Sequence, residues 1–265
     1  MARHADDIPP RYEQKFLVPV WQAEQLRRLI EPHCMLDPFS QRSPTSSYQI
    51  TTLYLDTPHL GFYRQWEAGA PRRFKLRVRR YGASLGDSPV FLEVKQRNDD
   101  VIIKQRTVVS AHDWLARARD LGGTTEQERA FTVRRDRFRA QPMALIRYQR
   151  EAWKGKLEAY ARVTFDARVQ YQSVSALPEQ GWSLNGDGGG WGAADDLKTV
   201  GEPDARLLVE VKFEREVPRW LVNAMRSLEL VRRGYSKYGA GIRAIYDPAQ
   251  RLDVMKRQAL GSDAL

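Results

Sequence analysis

Lys75, Arg77 and Arg79 occupy alternate positions, with Phe74, Leu76 and Val78 around them. Glu93 and Lys95 alternate with Leu92 and Val94, and Lys104 with Arg106 and Tyr148 with Arg150 keep the same two-residue spacing. Arg162, Thr164 and Asp166 oppose Ala161, Val163 and Phe165; Glu210 and Lys212 oppose Val209, Val211 and Phe213; Glu13 and Lys15 oppose Phe16. Successive strand side chains point to opposite faces, so each set shares one face. Such a face suits phosphate: Arg forks grip its oxygens bidentately, Lys adds point charge, and carboxylates hold a divalent cation that bridges phosphate oxygens.

Any half-buried strand also alternates, with its apolar side in and its charged side in water. Solvated faces usually mix Thr, Ser and Gln with the charges, whereas these carry mostly Lys, Arg, Glu and Asp, segment after segment. The second arrangement is a closed sheet with a polar lumen and its apolar faces turned outward against helices. A lumen of repelling cations makes sense if a polyanion fills it.

The elements that must position these residues are short strands: Tyr12–Val18, Tyr48–Asp56, Arg73–Tyr81, Val90–Gln96, Ile102–Val109, Met143–Trp153, Ala159–Tyr171, Leu207–Glu214 and Tyr238–Asp247. Helices are expected over Val20–Pro32, Leu60–Ala68, Ala111–Asp120, Thr125–Arg139 and Pro218–Val231. Trp21, Leu26, Leu29 and Ile30 give the first a buried face, and Trp220, Leu221, Ala224, Leu228 and Val231 the last. Arg72 falls in a turn. Dense strands without regular strand–helix alternation predict a mostly antiparallel α+β fold. The domain runs over 11–247, with tails at 1–10 and 248–265 and a long Gly-rich loop or insertion at 172–204.

A formal charge of +10 over 265 residues implies an anionic partner without choosing among them. The lone Cys34 excludes an internal disulfide, and the four scattered histidines argue against a zinc site. No segment reads as a membrane span or a secretory signal, so a soluble, cytoplasmic protein is expected.

In order along the chain, Arg11-Tyr12-Glu13-Gln14-Lys15-Phe16, Tyr54-Leu55-Asp56-Thr57, Lys75-Leu76-Arg77-Val78-Arg79-Arg80-Tyr81-Gly82, Val90-Phe91-Leu92-Glu93-Val94-Lys95, Tyr148-Gln149-Arg150, Leu208-Val209-Glu210-Val211-Lys212-Phe213, Pro218-Arg219-Trp220 and Tyr235-Ser236-Lys237-Tyr238 resemble the segments of a known family. It is the polyphosphate polymerase domain of the vacuolar transporter chaperone (VTC) family, one of the triphosphate tunnel metalloenzymes alongside the CYTH phosphatases. The resemblance runs from about Arg11 to Ala244. It implies an antiparallel β tunnel with helices outside. It implies phosphate contacts at Lys15, Arg77, Arg79, Lys95, Arg150 and Lys237, a hydrogen bond from Ser236, and a phosphate oriented by Tyr148. Mn²⁺ or Mg²⁺ would sit on Glu210, with Glu93 the second candidate ligand. Lys75, Lys104, Arg106, Arg162 and Lys212 complete the phosphate wall by their shared faces. Arg11 stands where the CYTH branch has its first glutamate, which fits the VTC branch better and weakens a first-strand metal site.

Each assignment has a plainer counterpart. Lys15 or Lys212 could be a solvated strand charge, Glu93 a neutraliser of neighbouring cations, and Asp166 a partner of Arg162. Ser236 and Lys237 could cap a strand entry. The function implied is transfer of the terminal phosphate of a nucleoside triphosphate, ATP first, to phosphate or a growing polyphosphate chain. The alternatives are triphosphate hydrolysis and a non-catalytic polyphosphate or nucleotide sensor. Nucleic acid ranks below these, because no aromatic stacking motif lies among the basic residues. A separate membrane partner stays open.

Overall fold

Every alternating segment that carries the charged residues is a strand of one sheet in the computed structural model, which describes residues 12–83, 88–99, 101–120, 123–174, 182–185, 190–193, 207–214 and 216–246. The strands are β1 (Tyr12–Val18), β3 (Tyr48–Asp56), β4 (Arg72–Tyr81), β5 (Val90–Asn98), β6 (Val101–Val109), β7 (Gln141–Gly155), β8 (Arg162–Ser173) and β10 (Leu207–Phe213). They pair antiparallel in the order β1-β10-β8-β7-β3-β4-β5-β6; short β2 (Cys34–Leu36) joins β7, and β9 (Gly192–Ala193) joins β8. The sheet curls into a half-barrel. Its curl brings β5 back to β1, where Lys95 Nζ meets Glu13 Oε2 at 2.8 Å.

The outward faces are apolar where helices cover them. Helices α1 (Val20–Ile30) and α6 (Arg219–Ser227) bury Ala23, Leu26, Ile30, Leu221 and Ala224 against Phe16, Val163, Phe165, Val209 and Val211. On the other flank α3 (Gly61–Glu67), α4 (Trp114–Arg119) and α5 (Glu126–Arg137) bring Phe62, Trp114, Ala118 and Phe131 onto Leu53, Leu76, Val78, Leu92 and Val94. Each fully buried Leu, Ile, Val or Phe among them stabilises by about 1.5–3 kcal/mol. A capping box between Thr125 and Glu128 fixes the start of α5.

Tyr238–Asp247, expected as a strand, is instead α7 (Lys237–Tyr246), and it packs inside the curl. Tyr238, Ala240 and Ile242 meet Ile50, Tyr54, Ile146 and Tyr148 on the concave side. Its glycines permit this approach: a Cβ on Gly239 would overlap the Trp66 ring, and one on Gly241 would lie 2.6 Å from Ile146 Cδ1.

Smaller differences concern ends and faces. Arg72 opens β4 rather than a turn. Trp21 and Leu29 are exposed on α1, and Val231 lies beyond the end of α6 and is exposed. Helix α2 (Pro38–Arg42) was not expected; Asp37 caps it by accepting from the Ser40 amide. The two tails and most of Gln172–Asp204 lie outside the described residues; within that loop Leu184 is buried and Trp182 and Trp191 pack on the second core cluster. No described helix is long and apolar enough to cross a membrane.

Candidate active site

The charged strand faces point into the curl and are buried. Asp166 and Glu93 are 0 % exposed, Arg79 and Glu210 6 %, Lys237 8 % and Arg77 9 %. The arrangement with charges turned to water is therefore not the one adopted. Register makes the electrostatics sharper. Lys75 stands directly opposite Lys95, and Lys95 directly opposite Lys104. Lys154 likewise faces Arg162, which faces Lys212. Like charges directly opposite one another destabilise a sheet. The first row lies in the lumen, so the empty wall there is under repulsion that a bound polyanion would relieve.

The described lumen carries Lys15, Lys75, Arg77, Arg79, Lys95, Lys104, Arg106, Arg150, Lys212 and Lys237 against Glu13, Glu93, Asp166 and Glu210. The carboxylates are shared out among the cations. Glu93 receives Arg77 Nε at 2.6 Å, Lys104 Nζ at 2.8 Å, Arg106 Nε at 3.2 Å and Arg79 Nη1 at 3.7 Å. Burial would raise its pKa, but Arg77, Arg79, Lys104 and Arg106 hold it well below the usual range. Glu210 receives Lys212 at 2.6 Å, Lys237 at 3.0 Å and Arg150 at 3.2 Å, with Lys15 at 3.9 Å. Against its burial, these cations likewise keep it well below the usual range. Asp166 pairs with Arg150 at 2.6 Å and Lys237 at 2.5 Å, not with Arg162.

A third group lies at the start of α7. Ser236 Oγ accepts from the Gly239 amide at 3.0 Å and from Lys75 Nζ at 2.6 Å. With both lone pairs engaged, its own O–H is left to donate into the lumen. Ser236 thus caps a helix rather than a strand, and the positive end of the α7 dipole adds to the cationic wall. Burial, together with Lys15, Lys95 and Arg77, pushes the Lys75 ammonium well below the ordinary lysine range.

All but one of the residues named for phosphate gather in this lumen. Arg162 is exposed at the first position of β8. Tyr148 is buried with the Lys237 ammonium 4.6 Å and the Arg150 guanidinium 5.3 Å from its ring centroid, so it is a platform for two cations. Glu13 and Tyr54, given no role from sequence, also belong. Glu13 bridges Lys15 at 3.1 Å and Lys95, and the Tyr54 hydroxyl accepts from Arg77 at 3.5 Å. Their alternate positions on β1 and β3 were the available signal.

Among the described residues no three His, Cys, Asp or Glu side chains converge as a metal cage. Glu93 and Glu210 are each met by four cations, and Glu93 Oε1 is buried without a hydrogen-bond partner among the described residues. Directly across the β10–β8 pair from Glu210, Thr164 Oγ1 is likewise buried without a hydrogen-bond partner among the described residues. An orphaned oxygen beside a carboxylate fits a hydrated Mg²⁺ or Mn²⁺ held by one carboxylate and substrate phosphates.

Residues 10–246 match the VTC domain family. A protein of Bacillus halodurans assigned as an adenylate cyclase is similar in structure, with 13 % identity and a TM-score of 0.49, over 86 % of this chain and 94 % of that one. An assigned adenylyl cyclase from Hippeastrum, described as having a dominant triphosphatase activity, shares 13 % identity at a TM-score of 0.48, over 89 % of this chain and 96 % of its own. PH1819 from Pyrococcus horikoshii shares 14 % identity at a TM-score of 0.39, over 85 % and 95 % respectively. No curated protein matches.

Proposed function

The chain belongs to the VTC domain family, within the CYTH-like triphosphate tunnel superfamily, and on that premise we propose that it is a polyphosphate polymerase. An oxygen of the acceptor, phosphate or the end of a polyphosphate chain, attacks the terminal phosphorus of a nucleoside triphosphate, ATP first. The bond from that phosphorus to the β–γ bridging oxygen breaks, and the nucleoside diphosphate leaves with the bonding pair. Phosphoryl transfer asks the protein for in-line placement and charge stabilisation more than for a strong base. Arg77, Arg79, Lys95, Arg150 and Lys237 supply that stabilisation from three sides of the lumen. Lys15, Lys75, Lys104, Arg106, Lys212 and Ser236 hold the rest of the phosphate chain.

Glu210, with Thr164 opposite, is the residue that would hold Mg²⁺ or Mn²⁺, and Glu93 serves as counter-charge for the arginines. Held there, the ion would supply positive charge against the negative charge that builds on the phosphate oxygens. A nucleoside triphosphate donor and a single buried cysteine, Cys34, fit a cytoplasmic setting.

The observation that carries this reading is the buried excess of cations over carboxylates, which one phosphate ion would not balance and a chain of phosphates would. Incubation of the purified protein with ATP and Mn²⁺, followed by separation of products, tests it. Polyphosphate formed together with ADP supports the polymerase. ADP and free phosphate without polymer would replace it with a triphosphatase.

A further inference from the structure

We propose that the aromatic cluster at the open end of the lumen is a nucleobase platform, so that a nucleoside triphosphate enters phosphates first and its base stays at the mouth. This rests on the polymerase reading and names the donor's binding mode.

The inward positions of β4 run Lys75, Arg77, Arg79 and then Tyr81; those of β5 run Lys95, Glu93 and then Phe91, which stands opposite Arg79. On β3, Tyr48 stands opposite Arg150. Along β3, β4 and β5 the inner wall therefore changes from ammonium and guanidinium groups to aromatic rings in a single direction. In the other direction α7 lines the wall, where Tyr238 stacks on Tyr54 at 4.8 Å and Ser236 meets Lys75.

The rings touch in sequence. Phe39 on α2 stacks on Tyr81 with centroids 5.3 Å apart and planes 18° from parallel, and it meets Tyr48 at 5.4 Å. Phe91 meets Tyr81 edge-on at 5.3 Å. Arg106 joins the two regions: its Cζ lies 3.6 Å from the Phe91 centroid, and its Nη2 donates to the Tyr81 hydroxyl at 3.0 Å. Phe39 remains 44 % exposed. Arg42, itself exposed, lies over it with Cζ 5.2 Å from the centroid and is free to shift onto an arriving base.

Length agrees with this placement. Six residues separate Lys75 from Tyr81, about 20 Å along an antiparallel strand, enough for three phosphates, a ribose and a base laid end to end. Selectivity among bases should be slight, because every base has a π face. The adjacent carboxylate, Asp37, already accepts from the Tyr48 hydroxyl at 3.2 Å and the Ser40 amide at 2.8 Å.

Calorimetric titration of ATP, GTP and tripolyphosphate into the wild-type protein, Phe39→Leu and Phe39→Trp tests the proposal. Leucine keeps apolar bulk at a half-exposed position and removes the ring; tryptophan keeps a ring. Phe39→Leu should weaken ATP and GTP about tenfold, within the range of base–aromatic stacking. It should leave tripolyphosphate unchanged, and Phe39→Trp should restore nucleotide affinity. Equal weakening of all three ligands, or unchanged nucleotide affinity in Phe39→Leu, would overturn it. Failure of the wild type to bind tripolyphosphate is a separate result, and it would remove the tunnel reading beneath.

Discussion

Replacing Glu93 by glutamine removes one negative charge and almost no volume. That charge is fully buried and shared by Arg77, Arg79, Lys104 and Arg106 at 2.6–3.7 Å. Removing one partner of a buried ion pair costs about 3–5 kcal/mol, because the other charge is left uncompensated. At roughly 2–4 °C per kcal/mol for a domain of this size, the melting temperature of the empty protein should fall on the order of 10 °C. The opposite substitution should behave differently. Arg77→Ala leaves Glu93 with three cations and lowers the surplus of positive charge, so its melting temperature should stay close to wild type. The missing charge in Glu93→Gln is one a phosphate chain can supply. Tripolyphosphate should therefore recover most of the loss, and sodium chloride at matched ionic strength much less. Thermal melts of the three proteins under the three conditions measure all of this. If Glu93→Gln melts with the wild type, or chloride rescues it as well as tripolyphosphate does, the picture of a lumen short of anions is wrong.

Arg77→Ala and Arg79→Ala should each lower turnover of ATP about a hundredfold or more, the scale of losing one donor aimed at transition-state charge; wild-type turnover in both would remove these residues from the reaction. Glu210→Gln should abolish turnover at low Mn²⁺ while tripolyphosphate still binds in calorimetry, and normal turnover at low Mn²⁺ would show that Glu210 holds no metal. Burial lowers the Lys104 ammonium, and although Glu93 draws it back, Arg106, Arg77 and Arg79 leave it at about 7. Its unfolded value is about 10.4, so the unfolded chain binds more protons between these pH values and the empty protein should gain stability as pH rises through that window. A bound anion favours the charged lysine, so tripolyphosphate binding should take up protons near pH 8 and weaken towards pH 10. Titrations in two buffers of different ionisation heat would give equal enthalpies if no proton is taken up.

The eight long strands were legible because period-two alternation survives burial of both faces when one face is charged. Helix α7 was not, because residues 237–242 are all buried and Tyr238, Ala240 and Ile242 alternate as in a strand. The local signals for a helix were Ser236 as its cap and two glycines that let it enter the curl. Elements β2 and α2 are too short to show a period. Within the site, facing pairs such as Lys75 and Lys95 depend on register between strands, which no single segment encodes. Alternation placed Asp166 on the charged face, but its partners, Arg150 on β7 and Lys237 on α7, come from elements distant in sequence. The mouth aromatics were hidden for the same reason, since Phe39, Tyr48, Tyr81 and Phe91 lie on four different elements.

The claim that a narrow, enclosed cationic lumen holds a phosphate chain is tested most directly by thermal shift with tripolyphosphate, long-chain polyphosphate and duplex DNA at matched phosphate concentration. A ligand that binds only the folded state raises its melting temperature with concentration over Kd. Both phosphate chains should stabilise strongly, and the effect should shrink with salt, though less than at an open surface. Duplex DNA is too wide to enter and should stabilise little. If duplex DNA stabilises as well as polyphosphate, the basic residues act as an open surface and the tunnel account is contradicted.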